Sequence, residues 1–328
     1  MDIREATAQD IPEIVALLKQ SLGESLMPKS EHYWRWKHLE NPFGPSPVLL
    51  CRENDTLIGV RAFMRWRWKQ GGQLFHAVRA VDTATHPGHQ GKGIFKKLTL
   101  NLVDLCKKNG DHFVFNTPNS QSKPGYLKMG WEEAGKLPIA FSVQHPFRMA
   151  WNLATRKVPQ APLKSDGILS RYLSHPGLHQ LLERNLQDEA IVTDISPAYL
   201  AWRYQHVPVV DYVAVGEENG NALTGLILGR IKPTKLGNEL RITDCFLDQA
   251  SQGNQLIENL MDARKKWNVD YTTLSGTPTK AARKLFSTRM MKMPVGPVVT
   301  IRSLQMDDKS KLQKFYSWSP SLGDLELF

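Results

Sequence analysis

The spacing of apolar positions changes along this chain, and each change predicts an element. Residues 78–84 read Val-Arg-Ala-Val-Asp-Thr-Ala, β-branched and alternating, which predicts a strand. From Ile94 the apolar positions recur at Leu98 and Leu102, with Val103 and Leu105 beside them, at the period of a helix. Between the two runs Thr-His-Pro-Gly-His-Gln-Gly-Lys-Gly, so an apolar strand turns through glycines into a helix. Upstream, residues 3–6 predict a strand and residues 10–18 a helix, with Asp10 at the N-cap and Glu13 completing a variant of the capping box. Residues 48–51 and 57–60, joined through Glu53-Asn54-Asp55, predict a hairpin, and Phe113-Val114-Phe115-Asn116 a buried strand. On a strand, Met64-Arg65-Trp66-Arg67-Trp68-Lys69 puts its cations on one face and its tryptophans on the other, the pattern of a half-buried sheet.

The glycine turn carries the chemistry. Gly91 and Gly93 permit close backbone approach and positive φ. The first amides of the following helix have no partner inside it and project with the positive end of its dipole. A pyrophosphate meets several N–H donors in such a turn, with Lys92, Lys96 and Lys97 adding charge. Two familiar glycine loops are excluded. Gly88, Gly91 and Gly93 give Gly-x-x-Gly-x-Gly, not the Gly-x-Gly-x-x-Gly of dinucleotide folds, and no acidic residue follows at the expected distance. A Walker loop requires Gly-Lys-Ser/Thr, and Lys92 is followed by Gly93. Gln90-Gly91-Lys92-Gly93-Ile94-Phe95 resembles motif A of the GCN5-related N-acetyltransferases (GNAT), Gln/Arg-x-x-Gly-x-Gly/Ala, and departs from it at Phe95. The segment Gly125-Tyr126-Leu127-Lys128-Met129-Gly130-Trp131 is similar to the family's closing Tyr-x-x-x-Gly-Phe, and the resemblance covers residues 1–145 in the family's order.

The remainder repeats the first half. Tyr33-x-x-Trp36 recurs as Tyr199-x-x-Trp202, Pro42 as Pro208 and Leu57-x-Gly59 as Leu223-x-Gly225, all 166 residues apart. Arg79, Asp82 and Gln90-Gly91 match Arg241, Asp244 and Gln252-Gly253 at 162. Thr117-Pro118 matches Thr277-Pro278 at 160, and Pro138 matches Pro297 at 159. So steady a register reads as a tandem repeat. The second copy lacks the chemistry: Gln252-Gly253-Asn254-Gln255-Leu256 has lost the second glycine and the lysine, and Gln255 would crowd a pyrophosphate. The segment matching Tyr126, Leu285-Phe286-Ser287-Thr288, has no tyrosine. The expected fold is α/β (an α+β mixed-sheet type) with two tandem GNAT-like domains, each a mixed, mostly antiparallel sheet flanked by helices. Residues 1–150 are the expected catalytic domain, 151–167 a Pro-rich linker, and 168–328 a degenerate domain that walls the acceptor pocket and carries the C-terminal tail.

A chain of 328 residues exceeds one typical core and suits two domains. A net charge of +10 raises the question of nucleic acid. No zinc knuckle, RNP motif or recognition helix is present, and the phosphates of coenzyme A account for positive charge, so nucleic acid is not an expected partner. No apolar run approaches the ~20 residues of a membrane span, and Met-Asp-Ile-Arg-Glu at the start lacks a signal-peptide core, so no membrane partner is expected. Cys51, Cys106 and Cys245 are too few and too scattered for a disulfide framework or a metal site. A cytoplasmic protein without a metal is expected.

The resemblance implies acetyl-CoA as co-substrate and a small-molecule primary amine as acceptor, of the amino-sugar or aminoglycoside kind, with direct attack on the thioester in a ternary complex. Coenzyme contacts then fall to Val81 and Thr83 on the strand edge, to Gln90, Gly91, Lys92, Gly93, Ile94 and Phe95 in the turn, and to Asn116 and Asn119 beside the channel. An N–H near Val81 or Thr83 would polarise the thioester carbonyl. Tyr126 matches the family's general acid, a phenol that protonates the departing thiolate. The base is open among His76, His86 and His112, of which His86 and His112 suit the surface, and two further groups. Asp82 lies on the central strand, although its recurrence as Asp244 suits a structural role. The terminal carboxylate of Phe328 is the other, because N-myristoyltransferases and Eis-type aminoglycoside acetyltransferases are similar in placing a chain-terminal carboxylate in the site. Tyr33 and Trp36 recur in the second copy, whereas Trp34 becomes Leu200, so Trp34 is the expected acceptor-pocket residue. The alternative is a non-catalytic acyl-CoA sensor or scaffold that turns a basic face to nucleic acid.

Overall fold

In the computed structural model the described residues are 1–23, 28–156, 158, 167–185, 189–248, 250–276, 285–286, 289–293, 295–306 and 310–325. β1 (Asp2–Glu5) leads into α1 (Ile11–Leu22). Asp10 does not cap this helix in the expected way; its carboxylate turns back, accepting from the Thr7 amide at 2.8 Å and pairing with Arg4. α2 (Glu31–His38) starts at Ser30, whose hydroxyl accepts from the Tyr33 amide at 3.1 Å. β2 (Val48–Glu53), β3 (Thr56–Gln70) and β4 (Gln73–Thr85) then form an antiparallel meander. α3 (Ile94–Lys108) carries the chain over to β5 (Phe113–Asn116), as a parallel pair requires. α4 (Lys123–Lys128), β6 (Glu132–Lys136), β7 (Ile139–Val143) and α5 (Pro146–Thr155) complete the first half.

The second half runs α6 (Ile168–Leu173), α7 (Leu178–Arg184), β8 (Val192–Thr193), α8 (Pro197–Leu200) and a π-helical turn at Ala201–Gln205. β9 (Val213–Asn219), β10 (Ala222–Thr234) and β11 (Gly237–Leu247) repeat the meander, and α9 (Asn254–Lys266) crosses to β12 (Tyr271–Ser275), again parallel to its neighbour. β13 (Met291–Met293), β14 (Val298–Ser303) and the short helix Leu322–Leu325 follow.

Two mixed, mostly antiparallel sheets result. The first has the order β1-β2-β3-β4-β5-β14-β6, with β8 on the far end of β3, and the second β13-β7-β12-β11-β10-β9. Sheet membership therefore cuts across the expected chain division at residue 150. β7 precedes that point yet pairs with β12 in the second sheet, while β14 pairs with β5 and β6 in the first. Each half lends the other a strand, and each loan covers a sheet edge that would otherwise stay open.

Where the halves meet, Trp36 and Trp202 stack with ring centres 4.8 Å apart. Each indole N–H donates to the other residue's carbonyl at 2.8 Å. Such reciprocity (one surface meeting its own equivalent) marks a local two-fold relation. Trp66 and Trp68 are buried in the same cluster, while Arg65 and Arg67 pair with Asp111 and Asp194.

Candidate active site

β4 and β5 pair at Ala77–Phe113, Val78–Val114 and Arg79–Phe115, and there the pairing ends although β4 continues to Thr85. Beyond Arg79 the strands splay. On its other side β4 slips by one residue against β3: Arg61 faces Thr83 and Ala62 faces Val81, so Asp82 is bulged out of register. The splay opens into a cavity of about 870 Å³ whose opposite wall comes from β11 and β12. Val81, Thr83, Phe95, Asn116 and Asn119 all line it.

The turn into α3 keeps the form that its glycines suggested. Gly91 and Gly93 sit at φ 78° and 75°, and no atom lies within 4 Å of where a Cβ would stand. Intrahelical bonding begins with the Lys97 amide on the Gly93 carbonyl at 3.0 Å, which leaves the amides of residues 94–96 ahead of it. Gln90, Lys92, Lys96 and Lys97 are exposed around the turn, and the Ile94 side chain is buried beneath it. Phe95, where the motif usually has Gly or Ala, stands edge-on to Tyr126 with ring centres 5.8 Å apart. It packs against Gly125, where a Cβ would lie 3.6 Å from the ring, an ordinary contact distance.

Tyr126 is buried on the cavity wall, and its hydroxyl oxygen accepts from the Arg61 guanidinium at 2.6 Å. Asp82 is also on the wall, but it is engaged: Lys37 Nζ lies 2.9 Å and His38 Nε2 2.8 Å from the same carboxylate oxygen. Burial pushes the Asp82 carboxyl upward, yet attraction to Lys37 and the His38 hydrogen bond outweigh it and hold the group ionised, well below the ordinary range. Burial lowers His38 despite Asp82, which keeps the imidazole on its neutral side. A carboxylate held this way is a poor proton acceptor. Asn116 accepts from Thr300 on β14, and Asn119 accepts from the Gln121 and Ser122 amides, capping the turn before α4 as well as lining the cavity.

Trp34 is not on the cavity. It lies in the apolar cluster under α1 with its ring 4.0 Å from His38, because α2 turns that face toward the sheet; Lys37 is the α2 residue that reaches the wall. Residues missed in the sequence stand here instead. Arg61 crosses from β3, Arg79 faces the C-terminal segment, and Glu239, Arg241 and Thr273 arrive from the second half. Glu239 is held by Arg241 through two 3.0 Å contacts and by the Thr273 hydroxyl. Arg79 donates to the Asp324 carbonyl at 3.1 Å and to that of Leu325, so the short helix Leu322–Leu325 borders the cavity. Phe328 lies outside the described residues. An arginine within an apolar strand is the only signal that could have found Arg61.

Comparison with known proteins now bears on this geometry. Residues 2–134 match the acetyltransferase (GNAT) domain family. Residues 2–134 form a GNAT domain. A stretch of 95 residues is 34% identical to an L-methionine sulfoximine/L-methionine sulfone acetyltransferase of Salmonella typhimurium, covering 28% of this chain and 54% of that protein. A stretch of the same length is 35% identical to an L-amino acid N-acyltransferase of Escherichia coli, again over 54% of that protein. The chain thus spans about half the length of these relatives. Among solved structures, a GCN5-related N-acetyltransferase from Anabaena variabilis superposes over 93% of this chain and 73% of its own, with a TM-score of 0.65 at 17% identity. Eis1 from Mycobacterium abscessus does so over 93% and 74%, with a TM-score of 0.59 at 13% identity. These two likenesses establish the fold.

Beside the GNAT domain, the second half keeps the frame and fills it. β11 and β12 part after Ile242–Leu274, but Gly276 bridges to Ser321, and Gly323 lies so close to Asp244 and Tyr204 that a Cβ would come 2.4 and 2.2 Å from their oxygens. The C-terminal segment therefore occupies the splay. At the start of α9 the Leu256 amide donates to the Glu217 carboxylate at 3.1 Å, so an internal anion holds the position that the GNAT domain leaves open at Ile94. Thr277, Pro278, Ser287 and Thr288 lie outside the described residues.

Proposed function

We propose that the chain is an acetyl-CoA-dependent N-acetyltransferase that acylates a primary amine of a small molecule by direct attack in a ternary complex. One observation carries this: the cavity where β4 and β5 part is lined both by Phe95, in the first turn of α3, and by Tyr126. The amides at the start of α3 and Lys92, Lys96 and Lys97 would hold the pyrophosphate. The unpaired edge of β4 at Val81 and Thr83 would align the pantetheine and supply an N–H to the thioester carbonyl. Tyr126 would protonate the leaving thiolate. Asp82 is assigned to structure, since Lys37 and His38 already occupy it.

The second half is read as a tandem copy that has kept the fold and lost the coenzyme site, and now walls the acceptor pocket. The acceptor favoured is amino-acid-like rather than a polycationic aminoglycoside. The relatives act on methionine sulfoximine, methionine sulfone and L-amino acids. The wall carries Lys37, Arg61, Arg79 and Arg241 against two carboxylates, Asp82 and Glu239, that are both engaged. Three buried free cysteines suit a reducing cytoplasm. The test is thiol release from acetyl-CoA across L-amino acids, amino sugars and aminoglycosides, with calorimetry of CoA binding beside it. Amine-dependent release and one CoA per chain are expected; no heat with CoA, or two equal sites, overturns the reading.

A further inference from the structure

Arg61 is 1% exposed, and among the described residues no carboxylate pairs with it. Its guanidinium donates to the Val81 carbonyl and to the Tyr126 hydroxyl, both at 2.6 Å, while Nε is buried without a partner. The rings of Phe63 at 4.9 Å, Phe95 at 5.5 Å and Tyr126 at 5.6 Å stand around it. A buried cation without a counter-charge is costly, and rings offset part of that cost only. For tying β4 to α4 alone, a neutral donor would serve as well at lower cost.

We propose that Arg61 is a positioning residue for Tyr126. The inference rests on the acetyltransferase reading above. One N–H of Arg61 occupies a lone pair of the phenol oxygen, so the phenol proton must point elsewhere, toward the cavity. During transfer the amine nitrogen bonds to the thioester carbon, and the C–S bond breaks with its electron pair on sulfur. The Tyr126 proton passes to that sulfur, and the proton shed by the new amide nitrogen returns to the phenolate oxygen. Between those two transfers the guanidinium stabilises the phenolate at hydrogen-bond distance.

The second half supplies an internal control. Gly59 and Gly225 each press a strand onto the first turn of a helix, with a Cβ there 2.7 Å from Ile94 and 2.8 Å from Leu256. The same register puts Ile227 where Arg61 stands, and the segment matching Tyr126 contains no tyrosine. The cation and the phenol are lost together, as expected if one acts through the other.

A double-mutant cycle on the full chain tests this. Arg61→Met is expected to lower kcat roughly 10- to 100-fold, below the ~10²–10⁴ of direct acid–base catalysis, with KM for acetyl-CoA changed less than about twofold. In a Tyr126→Phe background the same substitution is expected to cost under about threefold, because the group it acts through is gone. Arg61→Lys, which keeps the charge and one donor, is expected to recover part of the loss and stands in if Arg61→Met fails to fold. An equal cost in both backgrounds, or a loss confined to KM, overturns the inference and leaves the acetyltransferase reading intact. A wild-type protein that releases no thiol with any amine instead overturns that reading, and the inference with it.

Discussion

Asp82 shows how a residue that looks catalytic in sequence can stand engaged by neighbouring side chains in the fold. It sits on the central strand beside the site, yet Lys37 and His38 hold it, whereas in the second half Asp244 accepts from the Tyr204 hydroxyl and is shifted the opposite way. Asp82→Asn leaves the Lys37 charge buried without its counter-charge. It is expected to cost about 3 kcal/mol, the lower end for a broken buried pair because the carboxylate is partly exposed. Denaturant unfolding measures this, and kcat of the folded fraction is expected to stay within a few-fold of wild type. Tyr126→Phe separates the other way: kcat falls about 10²-fold or more with stability little changed. Trp34→Ala opens a cavity in the cluster under α1, so a loss of about 3–5 kcal/mol is expected, with no selective effect on acceptor KM. A selective rise in acceptor KM would return Trp34 to the pocket.

Elements explain why two similar frames differ. Both α3 and α9 start at a left-handed glycine, Gly93 at φ 75° and Gly253 at φ 68°. The first leaves its amides open; the second gives the Leu256 amide to Glu217. The short helix Leu322–Leu325 closes the second splay and brings Asp324 against Asp244 in a buried setting. Burial and the Asp324 charge push the Asp244 carboxyl from 3.8 up to about 7. The folded chain then keeps a proton that the unfolded chain has released. Stability from this group is complete below about pH 4 and lost as pH rises through about 7. Asp244→Asn cannot ionise, and Asn still accepts from Tyr204, so it is expected to flatten the fall in Tm between about pH 5 and 8. Parallel Tm curves for the two proteins would contradict the assignment.

At the scale of the molecule, the strand exchange makes the halves one folding unit. Residues 1–150 alone would lose β14 from between β5 and β6 and would expose the Trp36 face. That fragment is expected to lack a cooperative melt by circular dichroism, and co-expression with residues 151–328 is expected to restore one. A fragment that melts cooperatively by itself would show that β5 tolerates an open edge. The same exchange brings β12 over the β4–β5 opening, so the GNAT domain gains a wall that a single domain lacks.

The sequence by itself determined what depends on local spacing. The turn into α3 was legible because Gly91 and Gly93 adopt their φ values from chain chemistry nearby. The meander and helix periods were legible for the same reason, and Trp36 and Trp202, paired by their spacing in the sequence, meet in space. Tertiary structure alone decided which charges face each other. Arg61 reaches Tyr126, 65 positions along the chain, Arg79 reaches Leu325, 246 positions along, and β7 and β14 cross between sheets. No local period records such contacts: they follow from two curved sheets closing on each other, and that closure fixed the site, buried Trp34 and committed Asp82.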